Sequence, residues 1–376
     1  QREVTSASFN ATGDQVVTAS LDGTARVWDL KTGQSTPLVG HTAYVTSASF
    51  NATGDQVVTA SYDRTARVWD LKTGQSTPLE GHTDVVISAS FNATGDQVVT
   101  VSRDGTARVW DLKTGQSTPL EGHTDRVTSA SFNATGDQVV TVSVDGTVRV
   151  WDLKTGQSTP LEGHTDRVTS ASFNATGDQV VTASNDGTAR VWDLKTGQSP
   201  PLVGHTAGVT SASFNATGDQ VVTASLDGTA RVWDLKTGQS TPLEGHTDRV
   251  TSASFNATGD QVVTASNDGT ARVWDLQGRQ LAIYQGSPVA LSPDGQRIAA
   301  VVDGRVKVYD VETLSELLAW GCQWLHNYLE YGQATDADRA ICNLPPRNPD
   351  SAGPFESSLG QAAGLVGVGW PERSEG

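Results

Sequence analysis

Apolar and β-branched residues in this chain come in short runs of five to seven, each closed by Gly, Asp or Asn. Residues 45–79 show the pattern: Val45–Phe50, the polar turn Asn51–Asp55, Gln56–Ser61, the turn Tyr62–Arg64, Thr65–Asp70, the loop Lys72–Gln75, then Ser76–Leu79. Runs of this length predict strands, and the turn chemistry between them predicts antiparallel hairpins. The same order returns every 41 residues, placing Val-Trp-Asp at Trp28, Trp69, Trp110, Trp151, Trp192, Trp233 and Trp274. A degenerate eighth copy, Val308-Tyr309-Asp310, follows 35 residues after Trp274. The units end at Asp29, Asp70, Asp111, Asp152, Asp193, Asp234, Asp275 and Asp310.

Four short strands cannot bury both of their faces alone, so neighbouring units have to stack, and radial closure removes the last exposed face. The expected fold is all-β, a β-propeller of four-stranded antiparallel blades. Eight blades are favoured, with seven plus a partial blade as the alternative. Residues 1–311 would form the ring, 312–343 a short α-helical extension and 344–376 a disordered tail rich in Pro, Gly and Ser.

Gly-His and Trp-Asp bracket the units, and in this the chain resembles the Trp-Asp (WD) repeat β-propeller family over residues 1–311. The resemblance implies a hydrogen-bonded structural tetrad in each blade. The matching positions are His41, Thr59, Asp63 and Trp69; His82, Thr100, Asp104 and Trp110; His123, Thr141, Asp145 and Trp151. The set continues with His164, Thr182, Asp186 and Trp192; His205, Thr223, Asp227 and Trp233; and His246, Thr264, Asp268 and Trp274. The first unit starts at its inner strand and lacks the His, and the eighth has Tyr309 in place of Trp. In the family the last outer strand is often lent by the opposite terminus, but this chain begins too late to lend one. The closing strand is therefore expected upstream in a longer parent or in Leu314–Trp320, unless the eighth unit is incomplete.

From Leu314 the apolar period changes. Leu314, Leu317, Leu318, Gly321, Trp324, Leu325, Tyr328 and Leu329 form one stripe of an amphipathic helix. A second helix is expected from Thr335, with Asp336 and Asp338 favouring its start. This tail resembles that of the C-terminal repeat domain of bacterial, notably cyanobacterial, multidomain signalling proteins, in which the ring is the sensor behind an upstream nucleotidase switch or caspase-like protease.

The formal charge of −16 repels phosphate backbones and anionic lipid, and no run approaches the roughly 18 apolar residues of a membrane span, so neither nucleic acid nor membrane is an expected partner. Cys322 and Cys342 are too few for a disulfide framework and are read as reduced thiols of a cytoplasmic protein, with Cys322 packing on the helix stripe. Without a methionine or signal peptide, Gln1 reads as internal to a longer chain.

The copies can be compared with one another. The residue before the inner strand varies as Glu3, Tyr44, Val85, Arg126, Arg167, Gly208 and Arg249, and the residue before the turn Asp as Leu21, Tyr62, Arg103, Val144, Asn185, Leu226 and Asn267. Arg64 stands where the other turns have Gly. These loops share one rim, whereas Asn-Ala-Thr-Gly-Asp and Lys-Thr-Gly-Gln on the other rim barely change. The varied rim is the expected surface for a protein or peptide partner, through Tyr44, Tyr62, Arg64, Val85, Arg103, Arg126, Val144, Arg167, Asn185, Leu226, Arg249 and Asn267.

Other readings of the repeated residues are bland. The His residues belong to tetrads and not to a metal ring. Arg26, Arg67, Arg108, Arg149, Arg190, Arg231 and Arg272 lie mid-strand beside Asp and are read as structural pairs, Asn-Ala-Thr as a turn and Asp-Gly as a hairpin without calcium ligands. No catalytic, cofactor-binding or metal site is expected. The function expected is a non-catalytic scaffold or ligand-sensing module in a larger bacterial signalling protein. The alternatives are a self-assembling repeat protein and, behind it, a propeller hydrolase.

Overall fold

The computed structural model describes residues 3–292, 294–302 and 305–311, together with Cys322, Thr335, Arg339 and Cys342. The chain divides into two compact units, 1–311 and 312–376.

The first unit contains eight antiparallel sheets, seven of four strands and one of three. In the second blade the strands are Val45–Phe50, Gln56–Ser61, Ala66–Asp70 and Ser76–Leu79, paired in chain order. Alternation decides their faces: Val58, Ala60, Ala66 and Val68 turn towards the third blade, while Val45, Ala48, Val57 and Trp69 turn towards the first. Pro78 lies opposite Arg67 on the outermost strand, where its missing N–H breaks no ladder bond.

The core is therefore a set of interfaces between blades. Val17, Ala19, Ala25, Val27 and Leu38 of blade 1 meet Val45, Ala48, Val57 and Trp69 of blade 2, and the same plan recurs around the ring. Burying one such valine fully is worth about 1.5–3 kcal/mol. The ring closes because Ala7, Phe9 and Val16 of blade 1 pack with Ala299 of blade 8, and Arg297 Nη1 donates to the Gly13 carbonyl at 2.7 Å. Eight blades are present, as favoured from the sequence. The eighth has three strands among the described residues: Ser287–Leu291, Arg297–Val302 and Arg305–Asp310.

In the second unit Cys322 and Cys342 form a disulfide, with Cα atoms 5.6 Å apart. The expectation of reduced thiols is thus corrected. A separation of 20 positions in sequence hid a proximity that fits disulfide geometry, and the thiol argument for a reducing compartment falls away. The Arg339 amide donates to the Thr335 carbonyl at 3.0 Å. The helix expected from Leu314, the candidate closing strand Leu314–Trp320 and the tail from 344 lie outside the described residues.

Candidate functional site

In blades 2 to 7 each tetrad is a chain of hydrogen bonds. Trp Nε1–H donates to the Thr hydroxyl at 2.8 Å in all six. That hydroxyl lies 2.7–2.8 Å from His Nε2. On the other side His Nδ1 lies 2.8–3.0 Å from the Asp carboxylate. A neutral imidazole satisfies every member when Thr donates to Nε2 and Nδ1–H donates to Asp. Burial lowers the His41 pKa below its ordinary value, outweighing the hydrogen bond to Asp63, and the other five histidines behave alike. Burial alone would raise Asp63, yet bonds from Thr65, the Thr42 amide and His41 hold it at about 2. Asp145, Asp186 and Asp227 also sit at about 2 under the same opposing influences. With every donor and acceptor spent, these groups hold the turn between the second and third strands and offer no free base or nucleophile. Blade 1 keeps the Trp28–Thr18 bond at 2.9 Å, whereas Tyr309 of blade 8 donates to the Gln285 carbonyl at 2.9 Å.

The tetrads set the rim above them. Asp63 fixes the turn, and the Tyr62 amide donates to the Tyr44 carbonyl at 2.9 Å, so the two variable positions of one blade sit side by side. Equivalent bonds join Arg103 to Val85, Val144 to Arg126, Asn185 to Arg167, Leu226 to Gly208 and Asn267 to Arg249. Most of these side chains are exposed and Val144 is half-buried. Val85 is a correction: it is buried, and only its carbonyl serves the rim.

Blades 2 and 3 carry the one extended side-chain cluster described on this rim. The Tyr44 and Tyr62 rings meet edge to face with centroids 5.7 Å apart and are 51% and 38% exposed. Arg103 reaches across from blade 3, with its guanidinium 5.2 Å from the Tyr62 ring centroid and Nη2 donating to the Tyr62 hydroxyl at 3.1 Å. Beside them Arg64 has φ +71°, a left-handed conformation that its counterparts meet with Gly, as at Gly105 with φ +85°. Among the described residues it is the only side-chain-bearing residue with positive φ. Holding a non-Gly residue there costs about 1–2 kcal/mol.

A family described as "WD domain, G-beta repeat" matches the chain in eight consecutive segments, 1–29, 33–70, 74–111, 115–152, 156–193, 198–234, 238–275 and 278–310. The chain belongs to the WD-repeat family. Among solved structures, this WD-repeat chain is similar to the crystal structure of the computationally designed Ika8 protein, with 36% identity and a TM-score of 0.73 over 83% of this chain and 97% of that one. No curated protein matches it.

Two features of this WD-repeat ring depart from or fill in the sequence reading. The strand-three arginines do not pair with Asp in every blade. Arg67, Arg108 and Arg149 donate through Nη1 to Ser76, Ser117 and Ser158 of the outer strand at 3.1 Å, and Arg26 and Arg231 do the same to Ser35 and Ser240 at 3.2 Å. Arg190 donates to the Ser199 carbonyl at 2.9 Å, and Arg272 alone approaches an aspartate, Asp268, at 3.6 Å. Antiparallel register points the guanidinium outward along the blade, a direction the sequence does not display. On the opposite rim the Asn of each Asn-Ala-Thr is spent on its turn: Asn51 is buried, its Nδ2 donates to Asp55 at 2.8 Å and its Oδ1 accepts from the Gln56 amide at 3.1 Å.

Proposed function

We propose that this ring is a non-catalytic interaction module that binds a protein or peptide on its varied rim, centred on Tyr44, Tyr62, Arg64 and Arg103, within a larger signalling chain. The observation that carries the proposal is the Tyr44–Tyr62–Arg103 cluster, which bridges two blades with exposed aromatic and guanidinium surface. Tyr and Arg supply a large share of interface energy, and backbone strain such as that at Arg64 is kept where a side chain has a task. Blade 2 also has Ala43 where blades 3, 4, 5 and 7 have Asp84, Asp125, Asp166 and Asp248, and Arg64 where the other copies have Gly. In a chain of net charge −16 this makes a locally positive spot, so acidic segments with an aromatic residue are the favoured ligands.

The test is selection of peptides from a random display library on the intact chain, followed by titration of the winners. Tyr44→Ala, Tyr62→Ala and Arg103→Ala are expected to weaken binding by at least about tenfold each, as hot-spot truncations do. Thr53→Ala and Lys72→Ala on the opposite rim should leave binding unchanged. Selected peptides that bind the triple variant as tightly as the original chain would overturn the proposal.

Self-assembly is the second reading. It rests on the eighth sheet, where the edge strand Arg305–Asp310 has no further strand paired to it among the described residues. Mass growth with concentration in light scattering would favour it.

A further inference from the structure

The inner strands repeat Val-Thr-Ser-Ala-Ser-Phe, and their hydroxyls stitch one blade to the next. Thr5 donates to the Val45 carbonyl at 2.8 Å, and Ser6 accepts from the Ala48 amide at 3.1 Å. Between blades 2 and 3, Thr46 donates to the Val86 carbonyl at 2.9 Å, Ser47 accepts from Ala89 N–H at 3.2 Å and Ser49 donates to the Ala89 carbonyl at 3.2 Å. Blades 5 and 6 are joined in the same way through Thr169, Ser170 and Ser172, and blades 6 and 7 through Thr210, Ser211 and Ser213.

Blade 4 departs from this plan on both sides. At the junction of blades 3 and 4, Ile87 occupies the Thr position and no hydroxyl bridge is formed among the described residues. At the junction of blades 4 and 5, Thr128 turns back to the Val142 carbonyl of its own blade at 3.2 Å. Ser131, the counterpart of Ser49 and Ser213, is a buried hydroxyl with no partner, as is Ser8 of blade 1, whose neighbours Thr5 and Ser6 still bridge to blade 2. Ala130 is only partly buried, whereas its counterparts Ala48, Ala89, Ala212 and Ala253 are 4–5% exposed and Ala7 and Ala171 are 8% exposed.

The cause lies in three added side-chain volumes behind these strands. Val101 and Val142 replace the alanines found at 60, 183 and 224, and Val148 replaces the alanine found at 66 and 230. All three are fully buried in the interfaces that flank blade 4. Methyl groups added to a close-packed interface force its two sides apart. Separation beyond hydrogen-bond reach leaves the hydroxyls with local partners or none.

We infer that the ring is articulated at blade 4: blades 1–3 and 5–7 are stitched arcs, and the seams on either side of Val127–Phe132 open transiently while the arcs stay closed. Blade 8, four blades away in either direction, has lost two of the three stitching hydroxyls to Pro288 and Ala290, so the ring has its second weak station opposite the first.

Native-state thiol labelling reads the opening directly, because repeat peptides of identical mass cannot confuse a single introduced cysteine. In the full chain with Cys322 and Cys342 left paired, Ser131→Cys is expected to react with a soluble disulfide reagent about tenfold or more faster than Ser213→Cys, under conditions where labelling follows local opening. Val142→Ala with Val148→Ala should slow Ser131→Cys towards the Ser213→Cys rate. The reciprocal pair, Ala224→Val with Ala230→Val, should speed Ser213→Cys. Equal rates at the two sites, or a Ser131→Cys rate that ignores the alanine reversions, would overturn the inference, and the reversions keep it testable if the valine transplant does not fold.

Discussion

Thr141 is the hinge of its tetrad, and replacing it with valine isolates the hydroxyl from the packing. The side chain is fully buried, accepts from Trp151 Nε1 at 2.8 Å and lies 2.8 Å from His123 Nε2. Valine has nearly the same shape, so no cavity forms, but an indole N–H and an imidazole nitrogen lose their partner together. Each of the two orphaned buried groups costs about 1–3 kcal/mol, and the methyl gained returns about 1 kcal/mol, leaving a net loss of about 1–5 kcal/mol, centred near 3. Thr141→Ser keeps both bonds and removes one buried methyl, at a cost of about 1 kcal/mol. Urea unfolding followed by circular dichroism measures both. Because the tetrads agree to within 0.2 Å, Thr59→Val and Thr223→Val should give the same loss within about 0.5 kcal/mol. If valine costs no more than serine, the hydroxyl relay is not what holds the turn.

The six tetrad histidines have folded pKa values below the ordinary 6.5, so the stability they carry is complete above that pH and is lost as the pH falls beneath it. Each contributes up to about 1.4 kcal/mol per pH unit, and the six together about 8, while they are protonated only in the unfolded chain. Denaturation at pH 7, 6 and 5 should show stability falling as the pH falls, at no more than this limiting slope, and a flat profile would contradict neutral buried imidazoles. A further loss is expected from about pH 3.8 towards 2, where aspartates such as Asp63 take up protons. Arg64→Gly should stabilise the ring by about 0.5–1 kcal/mol, since relief of the left-handed strain exceeds the added freedom of the unfolded glycine, and should weaken peptide binding at the same time. Iodoacetamide on the denatured, unreduced chain should label neither cysteine, and after reduction both.

Element boundaries and blade number were legible because turn chemistry recurs with a fixed period and seven copies vote on each position. The tetrad partners were legible for the same reason, through the family resemblance. Three things were not. The Arg67 to Ser76 bond depends on the register between the third and outer strands, and Pro78, not Ser76, is the residue opposite Arg67. Val85 shares its rim position with Tyr44, yet its short side chain folds inward where tyrosine stands out. The pairing of Cys322 with Cys342 depends on chain geometry that no local pattern encodes. Arg64 and Ile87 did carry signals: an Arg in a glycine position announces a left-handed turn, and an Ile for Thr in an otherwise fixed hexapeptide announces a missing bond.

The bond from Arg297 to Gly13 spans 284 residues, whereas the blade-to-blade bonds of the inner strands span 40 to 42. Bringing the ends of so long a segment together costs about 1.7 kcal/mol more in chain entropy than joining neighbours. On this cost, adjacent units are favoured to join first and the two ends last. Until they do, the growing crescent shows apolar surface at both tips, and another crescent of the same sequence fits either tip as well as its own far end does. Dilution during refolding, which favours the end within the same chain, is thus built into the conditions under which this molecule closes correctly.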